Sequence, residues 1–277
     1  MLEIVGAFVV ATAAAALLIP LSRRFGFLDR PGPIKPHARP VPPAGGTAIL
    51  AALLVVGIFL SLPLALLGGA TAIWFVGLVD DAYHLKPALK LLAQVPALVI
   101  GSLAMDLPLL ERFTAIGVGL VLVNIFNVID GLDGLAGGSA AIMLVAFLVL
   151  GSPLSATAAI ALGGVLSFLL FNLPPARLFL GDEGSLLLGY VLWVVPLAAL
   201  AATPSTRLLL AFTLTWMFPL VNALFVVAAR FRGGRPLLAG DRSHLYDVLH
   251  QHLGLRGSLA LCWMLSAIGG IAAAAVA

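Results

Sequence analysis

The chain has 277 residues, of which 62% are hydrophobic and only 10% are charged. Soluble domains are near half apolar and about a quarter charged, so this composition excludes a water-soluble globule, a disordered chain and a coiled coil. The net charge of +3 is too small to favour nucleic acid as a partner, and a single cysteine, Cys262, excludes a disulfide framework. The surplus of apolar residues predicts a polytopic membrane protein.

Ten apolar stretches are predicted to cross the membrane as helices, because one span needs about 20 mainly apolar residues. They lie near 2–22, 45–62, 64–79, 88–105, 113–129, 137–152, 156–172, 184–201, 206–229 and 257–277. The second and third stretches are separated only at Pro63, so the count carries an error of one. The sequence therefore predicts an all-α bundle of about ten transmembrane helices, forming a single membrane-embedded domain over residues 1–277.

The charged loops are distributed unequally between the two sides of the membrane. With ten spans, 13 of the 15 lysines and arginines fall on the side reached after the first span. The positive-inside rule places that side in the cytoplasm and both termini outside. All five histidines and nine of the twelve acids share the cytoplasmic side. Because topology alone does not explain the acids and histidines, they predict a polar site at the cytoplasmic face.

The first cytoplasmic loop, residues 29–46, is rich in proline and is therefore extended and semi-rigid. It carries Lys35, His37 and Arg39 at alternating positions. A simple linker does not need these side chains, whereas the rim of a polar site does. We expect Lys35 and His37 to bind the ligand of that site.

The third span ends in two adjacent acids, Asp80 and Asp81, and Lys86 and Lys90 follow. Acids at a helix C-terminus face the negative end of the helix dipole and do not act as caps there. An acidic pair that the lysines neutralise at the interface is one interpretation. A pair that binds a cation or handles a proton is the interpretation we favour.

The fifth span ends with Asn124, Asn127 and Asp130, and Asp133 follows after a glycine and a leucine. Residues three apart share one helical face, so the first three side chains are aligned. Single amides often join helices by hydrogen bonds. Three aligned polar groups beside a repeated Asp-Gly pair favour a site, because glycine permits close approach of a ligand.

The loop before the eighth span runs from Asn172 to a Gly-Asp-Glu-Gly sequence that contains Asp182. Asp182 has two interpretations from the residues alone: the N-cap of the eighth helix, or part of a phosphate site at a helix N-terminus. The last cytoplasmic loop carries Arg242 and His244. Since arginine suits bidentate phosphate contacts, we expect both residues to face a diphosphate.

Four of these segments, in this order, resemble the polyprenyl-phosphate N-acetylhexosamine-1-phosphate transferase family, the MraY/WecA group. The matching stretches are the loop at 29–46, G-L-V-D-D with L-K-P-A-L-K-L-L-A-Q, N-I-F-N-V-I-D-G-L-D-G-L-A, and F-L-G-D-E-G-S. They span residues 29–189, and the histidine-containing loop extends the match to about 254. The family's ten or eleven helices and cytoplasmic catalytic loops agree with the topology derived above.

The resemblance implies a transferase domain that moves a sugar-1-phosphate from a UDP-aminosugar to a polyprenyl phosphate such as undecaprenyl phosphate, with release of UMP. It implies Mg²⁺, or Mn²⁺ in its place, as the cofactor, and a bacterial-type plasma membrane with its lipid as the setting. Assembly of two copies of the chain into a homodimer is compatible with the resemblance. Three carboxylates are expected to be catalytic: Asp80, Asp81 and Asp182. Two residues are expected to bind the metal ion: Asp182 and Asn127. Asp133 matches a nucleoside-contacting position. Substrate binding is expected of the other polar residues singled out: Lys35, His37, Lys90, Asn124, Asp130, Asp133, Asn172, Arg242 and His244.

The last loop departs from the family pattern. Many members have H-x-H-H where this chain has His244-Leu-Tyr246-Asp247, and the resemblance places this loop at the sugar end of the substrate. The chain also lacks the length expected of the phospho-N-acetylmuramoyl-pentapeptide transferase, which is the alternative enzyme, so a WecA-like transferase is preferred. A secondary transporter is an alternative of another class. It is disfavoured because the acids cluster at helix ends and the motifs do not repeat.

Overall fold

The structure is a computed structural model that describes residues 1–32, 39–234 and 244–277. Within these ranges the chain forms eleven α-helices and one isolated antiparallel bridge, between Asp29 and Val41. The prediction of an all-α fold is therefore confirmed. The helices are α1 (Leu2–Phe25), α2 (Gly45–Phe59), α3 (Leu64–Tyr83), α4 (Pro87–Ser102), α5 (Leu109–Val128), α6 (Leu135–Leu150), α7 (Ser155–Asn172), α8 (Gly181–Ala202), α9 (Thr206–Thr215), α10 (Met217–Arg232) and α11 (Leu245–Val276).

Six helices in the described ranges are long and apolar enough to cross a bilayer: α1, α3, α5, α7, α8 and α11. Helices α9 and α10 meet at a bend of 70° and count together as a seventh candidate. Helices α2, α4 and α6 are also apolar, but they have only 15 or 16 residues. By length and composition, the described chain is a multi-pass membrane protein with six or seven candidate spans.

Helix α8 is the centre of the bundle and packs against α3, α5 and α2. A helix that is apolar on every side lies in a protein core or faces lipid, and α8 lies in the core, since most of its residues are buried by other helices. Its buried aromatic residues still satisfy their polar atoms. Tyr190 donates to the Leu66 carbonyl (2.9 Å), and Trp193 donates to the Ala115 carbonyl (3.0 Å). These contacts fix α8 between α3 and α5, which carry the other polar motifs.

A cavity of about 1100 Å³ opens at one end of the bundle. Its described walls come from the segment after α1, the end of α3, the connection between α5 and α6, the segment before α8, the start of α8 and the start of α11. Within α11, Gly254 has a positive φ of 68° and interrupts the helix. This break separates a short cavity-lining segment from the long apolar part of α11. The described parts of the polar loops that the sequence assigned to one side therefore contribute to one cavity.

Candidate active site

Three carboxylates predicted to be catalytic, Asp80, Asp81 and Asp182, line the same cavity. The first two lie in the last turn of α3, and Asp182 lies in the first turn of α8. Because α3 and α8 are packed neighbours, the end of one helix meets the start of the other. The structure thus brings together residues that are about 100 positions apart in the chain.

Lys90 joins two of these carboxylates. Its Nζ lies 2.8 Å from Asp80 Oδ2 and 3.1 Å from Asp182 Oδ2, and it donates to Asn127 Oδ1 at 3.4 Å. The lysine side chain is only 15% exposed and is not among the described residues that line the cavity. The sequence predicted that Lys90 binds substrate. In the structure it compensates the acids from behind, as buried charges require.

Asn127 orients Asp182. Its Nδ2 donates to Asp182 Oδ1 (2.5 Å) and to Ser185 Oγ (2.7 Å). These bonds connect the end of α5 with the first turn of α8. The two residues expected to hold Mg²⁺ are therefore in direct contact, and Lys90 lies beside both of them.

Asp81 caps the N-terminus of α8. Its Oδ1 accepts from the Asp182 N–H (3.0 Å) and its Oδ2 accepts from the Glu183 N–H (3.1 Å). The first N–H groups of a helix have no partner within that helix, and a carboxylate there also faces the positive end of the dipole. An acid placed unfavourably at the end of α3 is thus stabilised by α8. Sequence reasoning did not foresee this role.

Asp130 and Asp133 lie in the connection between α5 and α6, and both line the cavity. Asp133 Oδ2 accepts from the Ala176 N–H at 3.0 Å, which ties this connection to the loop before α8. Burial, followed by the negative charges of Asp182, Asp81 and Asp133, raises the pKa of Asp130 to about 8. The carboxylates around Asp182 therefore repel one another, and Lys90 contacts two of them, Asp80 and Asp182.

Two amides predicted to bind substrate make hydrogen bonds within the protein. Asn124 donates to Gln94 Oε1 (2.7 Å), Gln94 donates back to Asn124 Oδ1 (3.3 Å), and neither residue is among the described cavity-lining residues. Asn172 lines the cavity, but its Oδ1 accepts from the Gly134 N–H (2.8 Å) and its Nδ2 donates to the Leu178 carbonyl (2.9 Å). Both residues hold elements of the site in place.

The amide pair of Gln94 and Asn124 makes a prediction for stability. We expect Asn124→Ala to lower the free energy of unfolding by about 1–3 kcal/mol, since it leaves the buried Gln94 amide without its Asn124 partner. Gln94→Ala should lower it by less, because the half-buried Asn124 amide still donates to the Leu120 carbonyl (2.7 Å). The double variant should lose clearly less stability than the sum of the losses in the two single variants, because no unpaired amide remains. Thermal unfolding of the detergent-solubilised variants measures this coupling, and strictly additive losses would contradict it.

The last loop lies partly outside the described residues. Three residues that were predicted to bind substrate also lie outside them: Lys35, His37 and Arg242. His244 is buried, and its ring stacks on that of Tyr246 with centroids 4.9 Å apart. Tyr246 donates to the Val128 carbonyl (3.2 Å), so it anchors α11 to the end of α5. At this end of α11 the described cavity lining includes Tyr246, Asp247 and His250, and not His244.

Three residues of this region escaped the sequence analysis, although each had a usable signal. Gln94 follows Lys90 by four positions and so shares its helical face. His250 has the same spacing from Tyr246 on α11. Glu183 stands in the Gly-Asp-Glu-Gly sequence beside Asp182, where it was noticed only as part of the motif.

Comparison with known proteins places the chain in a family. Residues 63–200 match the model of Glycosyl transferase family 4. This range begins before α3 and ends within α8, so it contains Asp80, Asp81, Asn127 and Asp182. The matched region is thus the part of the chain that builds the carboxylate site.

Several curated proteins are similar over most of the chain. The probable undecaprenyl-phosphate N-acetylglucosaminyl 1-phosphate transferase of Bacillus subtilis (strain 168) is 30% identical over 305 residues, covering 99% of this chain and 85% of that protein. The undecaprenyl-phosphate alpha-N-acetylglucosaminyl 1-phosphate transferase of Thermotoga maritima is 31% identical, covering 86% and 78% respectively. A phospho-N-acetylmuramoyl-pentapeptide-transferase of Thermobifida fusca is 35% identical, but over only 48% of this chain and 42% of that protein. The chain therefore belongs to glycosyl transferase family 4, the polyprenyl-phosphate N-acetylhexosamine-1-phosphate transferases that the sequence motifs indicated.

Proposed function

We propose that this protein transfers a HexNAc-1-phosphate, or a modified form of it, from a UDP-sugar to a polyprenyl phosphate. The products are a polyprenyl-diphosphate-sugar and UMP. The observation that carries the proposal is the convergence of Asp80, Asp81 and Asp182 on one cavity, with Lys90 and Asn127 held against Asp182. The substrates follow the names of the relatives in Bacillus subtilis and Thermotoga maritima.

The reaction is a phosphoryl transfer in which one P–O bond replaces another. An oxygen of the lipid phosphate attacks the β-phosphorus of the UDP-sugar. The bond from that phosphorus to the bridging oxygen breaks, and its electron pair leaves with UMP. Such reactions depend on positioning and charge stabilisation, so the protein has to hold two anionic phosphates together.

Asp182 and Asn127 are the residues that would hold Mg²⁺. Asp182 lines the cavity and offers carboxylate oxygens, and Asn127, which is hydrogen-bonded to that carboxylate, offers an amide oxygen. Both are hard oxygen donors of the kind that Mg²⁺ prefers. Within the described ranges no group of three or more acidic, histidine or cysteine residues forms a metal cage. This fits Mg²⁺, which is usually bound by one or two carboxylates together with substrate phosphates. When bound, Mg²⁺ or Mn²⁺ supplies charge neutralisation at the diphosphate.

Asp80 is the residue we assign to the lipid phosphate, either to position it or to accept its proton. Its Oδ1 accepts from the Leu85 N–H (2.7 Å) and its Oδ2 faces Lys90, so the carboxylate is held at the cavity wall. Asp81 has both oxygens engaged by the first turn of α8. Both oxygens of each carboxylate are thus engaged, and the partners distinguish the two residues: Asp81 accepts from the backbone of α8, whereas Asp80 meets the Leu85 N–H and the Lys90 ammonium. We therefore assign Asp80 to the substrate and Asp81 to holding α8.

The membrane topology we propose has ten crossings. The six long helices, the bent pair α9 and α10, and the three shorter apolar helices give ten segments. With ten crossings in alternating directions, every connection that lines the cavity lies on one side. That side carries 13 of the 15 lysines and arginines and is cytoplasmic by the positive-inside rule, with both termini outside. We place the whole chain, as one domain, in a bacterial-type plasma membrane.

The proposal is tested by incubating the purified full-length protein with undecaprenyl phosphate, Mg²⁺ and a panel of UDP-sugars. We expect UMP release with UDP-N-acetylglucosamine or a related UDP-HexNAc, and none when the lipid phosphate is omitted. UDP-N-acetylmuramoyl-pentapeptide belongs in the panel because muramoyl-pentapeptide transferases match part of the chain. If it alone supports release, the donor is the larger one. Absence of release with every donor would contradict the proposal.

A further inference from the structure

Glu183 is a buried carboxylate that the proposed chemistry does not use. It directly follows Asp182, its side chain is fully buried, and it is not among the described residues that line the cavity. Its Oε1 accepts from the Thr47 N–H at 2.7 Å, and the Thr47 hydroxyl lies 2.9 Å from both carboxylate oxygens. Trp74 Nε1 donates in turn to the Thr47 hydroxyl oxygen (3.2 Å). Burial of a carboxylate costs free energy unless hydrogen bonds compensate it, as they do here. The proposed chemistry does not explain why an acid is buried at this position.

The network fastens the start of α2 to the start of α8. A helix leaves its first N–H groups without partners within the helix. Here three of them, at residues 45–47, donate to the segment 179–183: Gly45 to the Phe179 carbonyl (2.9 Å), Gly46 to the Leu180 carbonyl (3.1 Å) and Thr47 to Glu183 Oε1 (2.7 Å). The Glu183 carboxylate also faces the positive end of the α2 dipole. The segment that carries Asp182 is therefore bound to the N-terminus of α2.

The backbones of α2 and α3 both lie directly against the first turn of α8. A side chain at Gly46 would overlap the backbone of Gly184, and one at Gly77 would overlap the backbone of Asp182 and Glu183. Glycine is required at both positions because only it permits this approach. Together with the Asp81 cap, these contacts leave the first turn of α8 little freedom to move.

We propose that Glu183 and Thr47 are positioning residues that keep the Asp182 carboxylate in the place where it binds the cation. This inference rests on the proposed function, in which Asp182 is a metal ligand. Neither residue is among the described residues that line the cavity. They act through the backbone of α8, and a shift of about 1 Å in a reacting group can lower a rate about 10²-fold.

The test uses Thr47→Val, Thr47→Ser and Glu183→Gln in the full-length protein. Thr47→Val keeps the backbone N–H but removes the hydroxyl, and Thr47→Ser restores a hydroxyl. Glu183→Gln keeps the shape of the side chain and removes its charge. The matched control is Thr157→Val in α7, because Thr157 is a buried threonine whose hydroxyl has no hydrogen-bond partner among the described residues.

Two readouts separate positioning from simple stability. One is the affinity for Mn²⁺ in the absence of substrates, measured by electron paramagnetic resonance. The other is the split between kcat and the KM for the UDP-sugar. We expect Thr47→Val to weaken Mn²⁺ binding and lower kcat by about tenfold each, the scale of one lost hydrogen bond, with KM within about twofold. Glu183→Gln should act in the same direction, Thr47→Ser should recover most of the loss, and Thr157→Val should change neither quantity.

The outcomes distinguish this inference from the proposed function. Wild-type protein that releases no UMP with any donor contradicts the function. Wild-type release together with unchanged Mn²⁺ affinity and kcat in Thr47→Val and Glu183→Gln contradicts the positioning role, even if the melting temperature falls. If Glu183→Gln does not fold, the comparison of Thr47→Val with Thr47→Ser and Thr157→Val still decides the question.

Discussion

Asp182→Asn is expected to abolish sugar-phosphate transfer, with a fall in kcat of about 10³-fold or more. The substitution keeps the shape of the side chain but removes the charge on which Asn127 and Lys90 converge. Without that charge, the cation and the diphosphate lose their anchor. UMP release from the purified variant measures the loss. Mn²⁺ binding in the absence of substrates should also be lost in the Asp182→Asn variant. Removal of divalent ions with EDTA should abolish UMP release by the wild type.

The matched control is Asp106→Asn, since Asp106 is an exposed acid in the connection between α4 and α5, away from the cavity. Its kcat and metal dependence should equal those of the wild type. Full turnover of Asp182→Asn, or full wild-type activity in EDTA, would refute the metal assignment. A melting temperature close to that of the wild type would show that the Asp182 variant is folded.

Much of the fold and the membership of the site could be predicted from the sequence, because both depend on local patterns. Long apolar stretches indicated the helices, and their order placed the polar motifs at one end of the bundle. Asp80, Asp81 and Asp182 therefore meet at one cavity, as expected from the topology. The stretch at 64–79 became α3, which continues to Tyr83 because the polar motif extends the helix. The stretch at 113–129 became α5, which begins four residues earlier, at Leu109, and ends at Val128.

The direction in which each polar side chain points could not be predicted, because it depends on partners distant in sequence. Asn124 and Asn127 share one face of α5, yet one faces Gln94 on α4 and the other faces Asp182 on α8. Lys90 is 37 positions from Asn127, and only packing makes it the counter-ion of the acids. Helical spacing alone therefore identifies a polar face, whereas the packed neighbours decide which members reach a cavity.

Asp80→Asn and Asp81→Asn are expected to fail in different ways, although the residues are adjacent. Asp80→Asn still has an oxygen to accept from the Leu85 N–H, and Asp182 still pairs with Lys90. Its melting temperature should therefore stay close to that of the wild type. Its kcat should fall by about 10²–10⁴-fold, the range for a lost general base, because the charge that acts on the lipid phosphate is gone.

Asp81→Asn should lose stability together with activity. An amide has one acceptor oxygen, so it cannot accept from both the Asp182 and the Glu183 N–H groups as the carboxylate does. The lost cap should lower the free energy of unfolding by about 1–2 kcal/mol. The kcat should fall because the first turn of α8 then moves with Asp182.

Thermal unfolding and UMP release, measured on the same preparations, separate the two cases. If Asp81→Asn loses turnover at an unchanged melting temperature, Asp81 acts on the substrate and not on α8. Near-normal kcat in Asp80→Asn would reduce that residue to an interfacial charge that Lys90 neutralises.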